Sequence, residues 1–317
     1  MNITILDGYS VNPGDLSWKE IASEGDLTVY DRTAPEEVIE RAKGSEIVLT
    51  NKVVLDADVL AQLPELKYIG ILATGVNVVD IREAERLGIV VTNIPSYSTM
   101  SVAQSVFALL LAFTNSTEHY SDQFHAGEWA KCPDFCFVDT DLTELAGKKF
   151  GIIGYGHIGR AVAVIARAFG MEVYAASSKS QEEIPEVKKQ NIDEIFASCD
   201  VVTLHCPLTE DTFHLADSRR INSMKPTSIL INTARGPLVD EEALAEALKE
   251  GRIRGAGLDV LGQEPPRADN PLTGAPRCIV TPHIAWATKE ARTRLIAIAA
   301  SNLRAFLAGT PVNRVLP

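Results

Sequence analysis

The sequence predicts an α/β chain with two parallel sheets, each covered by helices on both faces. Three observations carry that prediction. At 317 residues the chain has room for two domains, taking about 150 residues for each. Strand-like and helix-like segments alternate twice, with a restart after residue 147. The restart opens on "FGIIGYGHIGR", a buried strand running into a glycine-rich turn and then a helix.

In the first hundred residues, strand-like runs occur at "ITIL" (3–6), "LTVY" (27–30), "IVLT" (47–50), "YIGIL" (68–72) and "IVVT" (89–92). Helical patterns lie between them, at 35–42 with Pro35 at its start and at 79–87 ending on Gly88. Strands separated by helices pair in parallel, because the crossover helix returns the chain to the same end of the sheet. A long apolar helix is expected over about 101–117, including "VFALLLAF". The segment 120–146 reads as an irregular arm, with Trp129, Phe135 and Phe137 among polar residues. Such aromatics pack either on another subunit or on their own domain. The second set of strands follows at 150–154, 172–176, 201–205, 228–232, 255–260 and 278–282. Six strands with intervening helices fit a doubly wound dinucleotide fold. A last helix is expected over 289–307.

Composition narrows the function classes. Hydrophobic residues make up 46% and charged residues 23%, which is globular composition. The net charge of −12 argues against nucleic acid and anionic membranes, both of which need a basic face. The N-terminal "MNITILDG" is already strand-like, so no signal peptide is expected, and the longest apolar run is too short to span a bilayer. The five cysteines have no disulfide-framework spacing, and Cys132 and Cys136 lack the further ligands of a zinc site. Reduced thiols, a cytoplasmic location and no metal are the expectation.

"GIIGYGHIGR" sets Gly154, Gly156 and Gly159 in the G-x-G-x-x-G spacing. Gly154 permits the tight turn, Gly156 lets a pyrophosphate approach the backbone, and Gly159 lets helix and strand pack closely. The following helix N-terminus offers unpaired N–H groups to the anion. About 20 positions on, this fold commonly carries an acid for the adenosine ribose. Here that strand ends in "AASSKS", with Ser177, Ser178 and Lys179 and no carboxylate. Hydroxyls and a lysine accommodate a 2′-phosphate, so NADP is favoured and NAD is also accepted. The other reading of this tip is a surface turn that leaves the choice to other residues.

Three strand ends raise a sharper question. Arg235 follows "SILINTA", Glu264 follows "GAGLDVLGQ", and His283 follows "CIVTP". In open α/β sheets, ligands bind beyond the carboxyl ends of the strands. Singly, a histidine there is usually structural and an arginine usually salt-bridged. Together the three supply a fixed cation for a carboxylate, a group for proton transfer, and an acid to orient it. An acidic protein that binds an anionic substrate needs such a local cation.

The motifs "ATGVNVVD" (73–80), "STMSVAQ" (98–104), "GYGHIG" (154–159), "LHCPLTEDT" (204–212), "INTARGPLVD" (231–240), "LDVLGQEPP" (258–266) and "TPHIAWAT" (281–288) occur in this order. Over essentially its whole length the chain resembles the D-isomer-specific 2-hydroxyacid dehydrogenases, most nearly the glycerate dehydrogenase (hydroxypyruvate reductase) branch. The resemblance implies a flavodoxin-like substrate domain of residues 1–99 plus 290–317. It implies an inserted Rossmann domain over 100–289, with 120–146 as a dimerisation arm, hence a homodimer. It also implies Arg235, Glu264 and His283 as the catalytic set, with Thr74, Gly75 and Val76 offering backbone amides to the substrate carboxylate. Cofactor contacts then fall on Thr99, His157, Ile158, Ser177, Thr233, Ala234 and Asp259. His205 would lie near the cofactor or serve a structural role at its strand end. Ser177 departs from the acid of NAD-preferring members. Met100 departs from the polar residue common at its position.

The expected reaction reduces a small anionic 2-keto acid, hydroxypyruvate or glyoxylate first, to a D-2-hydroxy acid such as D-glycerate. Arg235 would hold the carboxylate and the keto oxygen, His283 would donate the proton, and Glu264 would bond the far ring nitrogen. A D-lactate or other D-2-hydroxyacid dehydrogenase is the nearest alternative. An NAD(P)-sensing binding protein of the same fold would not need the full catalytic set. Formate dehydrogenase relatives carry glutamine where Glu264 stands.

Overall fold

The computed structural model describes residues 1–317, which divide into two compact units. The first comprises Met1–Ser98 with Ala287–Pro317, the second Thr99–Trp286.

The first unit holds β1 (Asn2–Ile5), β2 (Asp26–Val29), β3 (Ile47–Thr50), β4 (Tyr68–Ile71) and β5 (Val90–Thr92). They form one sheet in the order β2-β1-β3-β4-β5, parallel throughout. This is the 2-1-3-4-5 order of flavodoxin-like sheets. All four residues of β3 and of β4 are buried, as continuous apolar strands in a twice-covered sheet must be. The helix Lys289–Leu307 brings the C-terminal part of the chain onto this sheet, and Phe306 packs on Tyr68 with ring centroids 4.8 Å apart. Helix starts here are fixed by side-chain caps: Asp56 accepts from the Val59 amide, Asp80 from that of Glu83 and Thr288 from that of Ala291.

The second unit holds β6 (Lys149–Ile153), β7 (Glu172–Ala176), β8 (Lys188–Lys189), β9 (Val201–Leu204), β10 (Ile229–Asn232), β11 (Gly255–Leu258) and β12 (Cys278–Val280). Their order is β12-β11-β10-β9-β6-β7-β8, again all parallel. Counted from β6 as the first strand of its own sheet, this is the 3-2-1-4-5-6 Rossmann order with one further strand at the edge. One face is filled by Phe196, Leu204, Leu230 and Leu244, the other by Val106, Phe107, Phe150 and Val162. The helix Thr99–Asn115 packs on the helix His157–Ala168 and stacks Phe107 on Phe150 at 5.8 Å.

Both parallel sheets are as the sequence predicts, with strand ends shifted by a residue or two. Two details differ. The two-residue edge strand β8 was not anticipated. The arm read as irregular is helical over Thr117–His125 and Glu128–Lys131, separated from the preceding long helix by Ser116 at φ +48°. No single helix is long and apolar enough to cross a membrane.

Candidate active site

β10, β11 and β12 lie side by side, with Asn232 paired to Leu258 and Leu258 to Val280. Their carboxyl ends therefore face the same edge of the sheet, and the three predicted residues follow within a few positions of these pairs. The turn after β10 is held by the buried Asn232. Its amide nitrogen donates to the Arg235 carbonyl at 2.8 Å, and its oxygen accepts from the Ala234 N–H at 3.0 Å. Gly236 then presses on the loop after β11. A Cβ there would sit 1.9 Å from the carbonyl atoms of Leu261, so only glycine allows the approach. Since Leu261 N–H donates to Glu264 Oε1 at 3.0 Å, the arginine turn and the glutamate loop are locked together. The Arg235 guanidinium is exposed and bonds only its neighbour, Nη1 to the Ala234 carbonyl at 2.7 Å. No carboxylate of the protein pairs with it.

His283 and Glu264 do meet. The ring Nδ1 lies 2.6 Å from Glu264 Oε2, so the glutamate engages that nitrogen and not Nε2. His283 has φ +54°, an uncommon conformation for a residue with a side chain. Asp259 enforces it. This aspartate follows β11 and is 1% exposed. Its Oδ1 accepts from Thr281 Oγ1 at 2.6 Å and Ile284 N–H at 2.9 Å, and its Oδ2 accepts from Ala285 N–H at 2.8 Å. The His283 N–H itself donates to the Asp259 carbonyl at 2.8 Å. The histidine is therefore carried on a turn wrapped around a buried carboxylate, a role the sequence alone did not disclose.

The glycine-rich turn has the features a dinucleotide requires. Gly154 has φ +97°, and a Cβ there would come within 2.5 Å of the His205–Cys206 peptide. A Cβ on Gly159 would fall 2.3 Å from the Gly154 carbonyl, whereas one on Gly156 would meet nothing within 4 Å. Open space at the middle glycine, with the backbone closed up at the outer two, is the cradle that a pyrophosphate fills. His157 and Ile158 form the first turn of the helix whose N-cap is Gly156. At the end of β10, the buried Thr233 Oγ1 has no partner in the protein, an orphan polar atom of the kind a cofactor group satisfies.

At the tip of β7, Lys179 N–H donates to Ser177 Oγ at 3.2 Å, and Ser178 is exposed. The short strand β8 adds a group that sequence reading missed: Lys189 Nζ bonds the Lys179 carbonyl at 2.6 Å. Glu183 is also present, its Oε2 accepting from the Ser180 N–H at 2.8 Å. His205 has its Nε2 2.9 Å from Thr203 Oγ1, and burial pushes its imidazole down to about 3. It is a neutral ring at a strand end, beside the Gly154 turn.

In the first unit, the loop after β4 carries Thr74, Gly75 and Val76. Thr74 Oγ1 donates to the Ile94 carbonyl at 2.8 Å, and Asn93 Nδ2 donates to the Thr74 carbonyl at 2.8 Å. The amides of Gly75 and Val76 have no backbone acceptor in their unit. Thr99 opens the helix Thr99–Asn115, and Met100 beside it is 59% exposed. No group of three or more His, Cys, Asp or Glu side chains is placed to hold a metal ion.

Comparison with known proteins gives this geometry a setting. The family model described as D-isomer specific 2-hydroxyacid dehydrogenase, NAD binding domain, matches residues 107–285. A hydroxypyruvate reductase of Blautia hydrogenotrophica is 47% identical, with 99% of each chain covered. A glycerate dehydrogenase of Methylorubrum extorquens is 43% identical over 99% of this chain and 98% of its own. Among solved structures, D-lactate dehydrogenase of Aquifex aeolicus, complexed with NAD and lactic acid, superposes with a TM-score of 0.84. It is 28% identical, with 100% of this chain and 99% of that one covered. With that similarity over its full length, its two parallel sheets and its glycine-rich turn, the chain belongs to the D-isomer specific 2-hydroxyacid dehydrogenase family.

Proposed function

We propose that the protein reduces hydroxypyruvate, with glyoxylate as a second substrate, to the D-2-hydroxy acid. The observation that carries this reading is the 2.6 Å His283–Glu264 pair, after β12 and β11, with β11 lying next to the β10 strand whose end carries an arginine with no carboxylate of its own. The two relatives, one a hydroxypyruvate reductase and the other a glycerate dehydrogenase, support the choice of substrate.

A bound nicotinamide supplies the hydride. The protein's residues supply orientation and the proton. Arg235 offers a planar fork to the substrate carboxylate and keto oxygen, and it gains strength as negative charge develops on that oxygen. His283 delivers a proton from Nε2 while Glu264 stabilises the imidazolium from the Nδ1 side. In the oxidation direction the histidine starts neutral and accepts the proton. Thr74, Gly75 and Val76 are proposed to bind substrate through their amides. Thr99, His157, Ile158, Thr233, Ala234 and Asp259 are proposed to line the cofactor. Oxidation of NADH and NADPH, followed in parallel with hydroxypyruvate, glyoxylate, pyruvate and phenylpyruvate, tests the reading. Higher kcat/KM with pyruvate or phenylpyruvate than with hydroxypyruvate would reject it.

NADPH is proposed as the preferred nucleotide. Ser177, Ser178 and Lys179 can meet a 2′-phosphate, and Lys189 adds a second ammonium beside them. Glu183 at the same tip opposes this, so the preference is modest and NADH still works. The preference should narrow as salt rises, because exposed charges are screened. Ser177→Asp should reverse it by repelling the phosphate and pairing with the ribose hydroxyls. A higher wild-type kcat/KM with NADH would show that this tip does not set the choice. A homodimer built on the 120–146 arm is proposed as the assembly. The five free thiols support a reducing, cytoplasmic location.

A further inference from the structure

Asp7 is a buried carboxylate, 7% exposed, at the carboxyl end of β1. It forms no salt bridge. Its oxygens are instead taken up by three successive backbone N–H groups of the turn after β3: Asn51 at 2.8 Å and, on the other oxygen, Lys52 at 2.5 Å and Val53 at 3.2 Å. Burial pushes the carboxyl above its ordinary range while these donors pull it back. The turn passes the constraint on. The buried Asn51 donates from Nδ2 to the Leu72 carbonyl at 2.6 Å, at the point where the chain leaves β4 for residues 74–76. Beyond Leu72, the Ala73 carbonyl accepts from Ile94 N–H at 3.0 Å, and Thr74 is tied to Asn93 and Ile94. A hydrogen-bonded path thus runs from Asp7 through Asn51 to the start of the 74–76 loop. Asp259 plays the corresponding part in the other unit, where a buried carboxylate at a strand end shapes the turn that carries His283.

We propose that Asp7 is a positioning residue for substrate, fixing through Asn51 the backbone of the loop that presents the Gly75 and Val76 amides. This rests on the substrate reading given above. An aspartate that only stabilised the fold would lower the melting temperature without changing substrate affinity in the folded enzyme. A positioning residue changes KM. Asp7→Asn keeps the shape but turns one acceptor into a donor facing N–H groups. It should raise KM for hydroxypyruvate by about tenfold, the scale of one charge-assisted hydrogen bond. The fall in kcat should be smaller, and the nucleotide Kd, read by cofactor fluorescence, should stay unchanged. Asn51→Ala leaves Asp7 in place and cuts the link to Leu72, so it should raise KM in the same direction. It decides the matter if Asp7→Asn fails to fold. KM values within twofold of wild type in folded variants would overturn the proposal while leaving the reductase reading standing. A wild-type protein that reduces none of the 2-keto acids would overturn that reading, and the proposal with it.

Discussion

His283 illustrates how a single side chain depends on its immediate surroundings. Its ring is oriented by Glu264 and its backbone is held at positive φ by the turn around Asp259. Replacing it with alanine leaves the glycine-rich cradle untouched, so nucleotide binding should survive. Turnover should fall by roughly two to four orders of magnitude, the usual range for a general acid. Near-normal turnover would remove the histidine from the mechanism. Arg235 makes a different prediction. Lysine preserves the charge but not the planar fork. Arg235→Lys should raise KM and also lower kcat, because the proposed contact to the keto oxygen would strengthen in the transition state. A change confined to KM would make the arginine a ground-state anchor only.

At the scale of elements, what the sequence disclosed depended on whether the signal was periodic or local. Fully buried strands such as β3, β4 and β10 write themselves as unbroken apolar runs, so both sheets were legible. Arg235, Glu264 and His283 could be proposed together from the sequence because each follows a strand that the sequence predicts. β8 was not legible, since two exposed lysines at a sheet edge have no apolar pattern, and with it went Lys189, the second lysine near the tip of β7. The roles of Asp259 and Asp7 were hidden for another reason. Each serves backbone amides distant in sequence, and no spacing rule reports that. His205, at the end of β9, carries a testable consequence of burial. Its folded-state pKa of about 3 lies below the ordinary 6.5, so beneath 6.5 the unfolded chain binds the proton more readily. Stability should therefore fall as pH drops from 6.5 towards 3, by up to roughly 1.4 kcal/mol per pH unit from this group. His205→Gln should flatten that part of the profile in chemical denaturation measured between pH 4 and 7 (roughly the window set by these values). An unchanged slope would mean that other groups dominate it.

At the scale of the whole molecule, the arm after residue 116 is the feature a lone chain does not explain. Its inner side is well tied down. His119 pairs with Asp139 at 2.9 Å, Tyr120 bonds Thr140 at 2.8 Å, and Arg254 reaches the Phe113 carbonyl at 3.0 Å together with Thr143 and Asp141. Its outer side leaves apolar groups in water, with Phe135 90% and Val138 67% exposed and Phe124, Trp129 and Leu142 also open. A segment this well hydrogen-bonded on one side and this apolar on the other is the surface proposed to meet a second copy. Light scattering coupled to gel filtration should give twice the chain mass for the wild type at micromolar concentration. Phe135→Asp combined with Val138→Asp should halve it, because two carboxylates would then have to be desolvated at each copy of the interface. Since both side chains are exposed and lie outside helices and strands, the far-ultraviolet circular dichroism of the variant should match the wild type. A wild-type monomer, or a variant that stays dimeric, would take the assembly away from this arm.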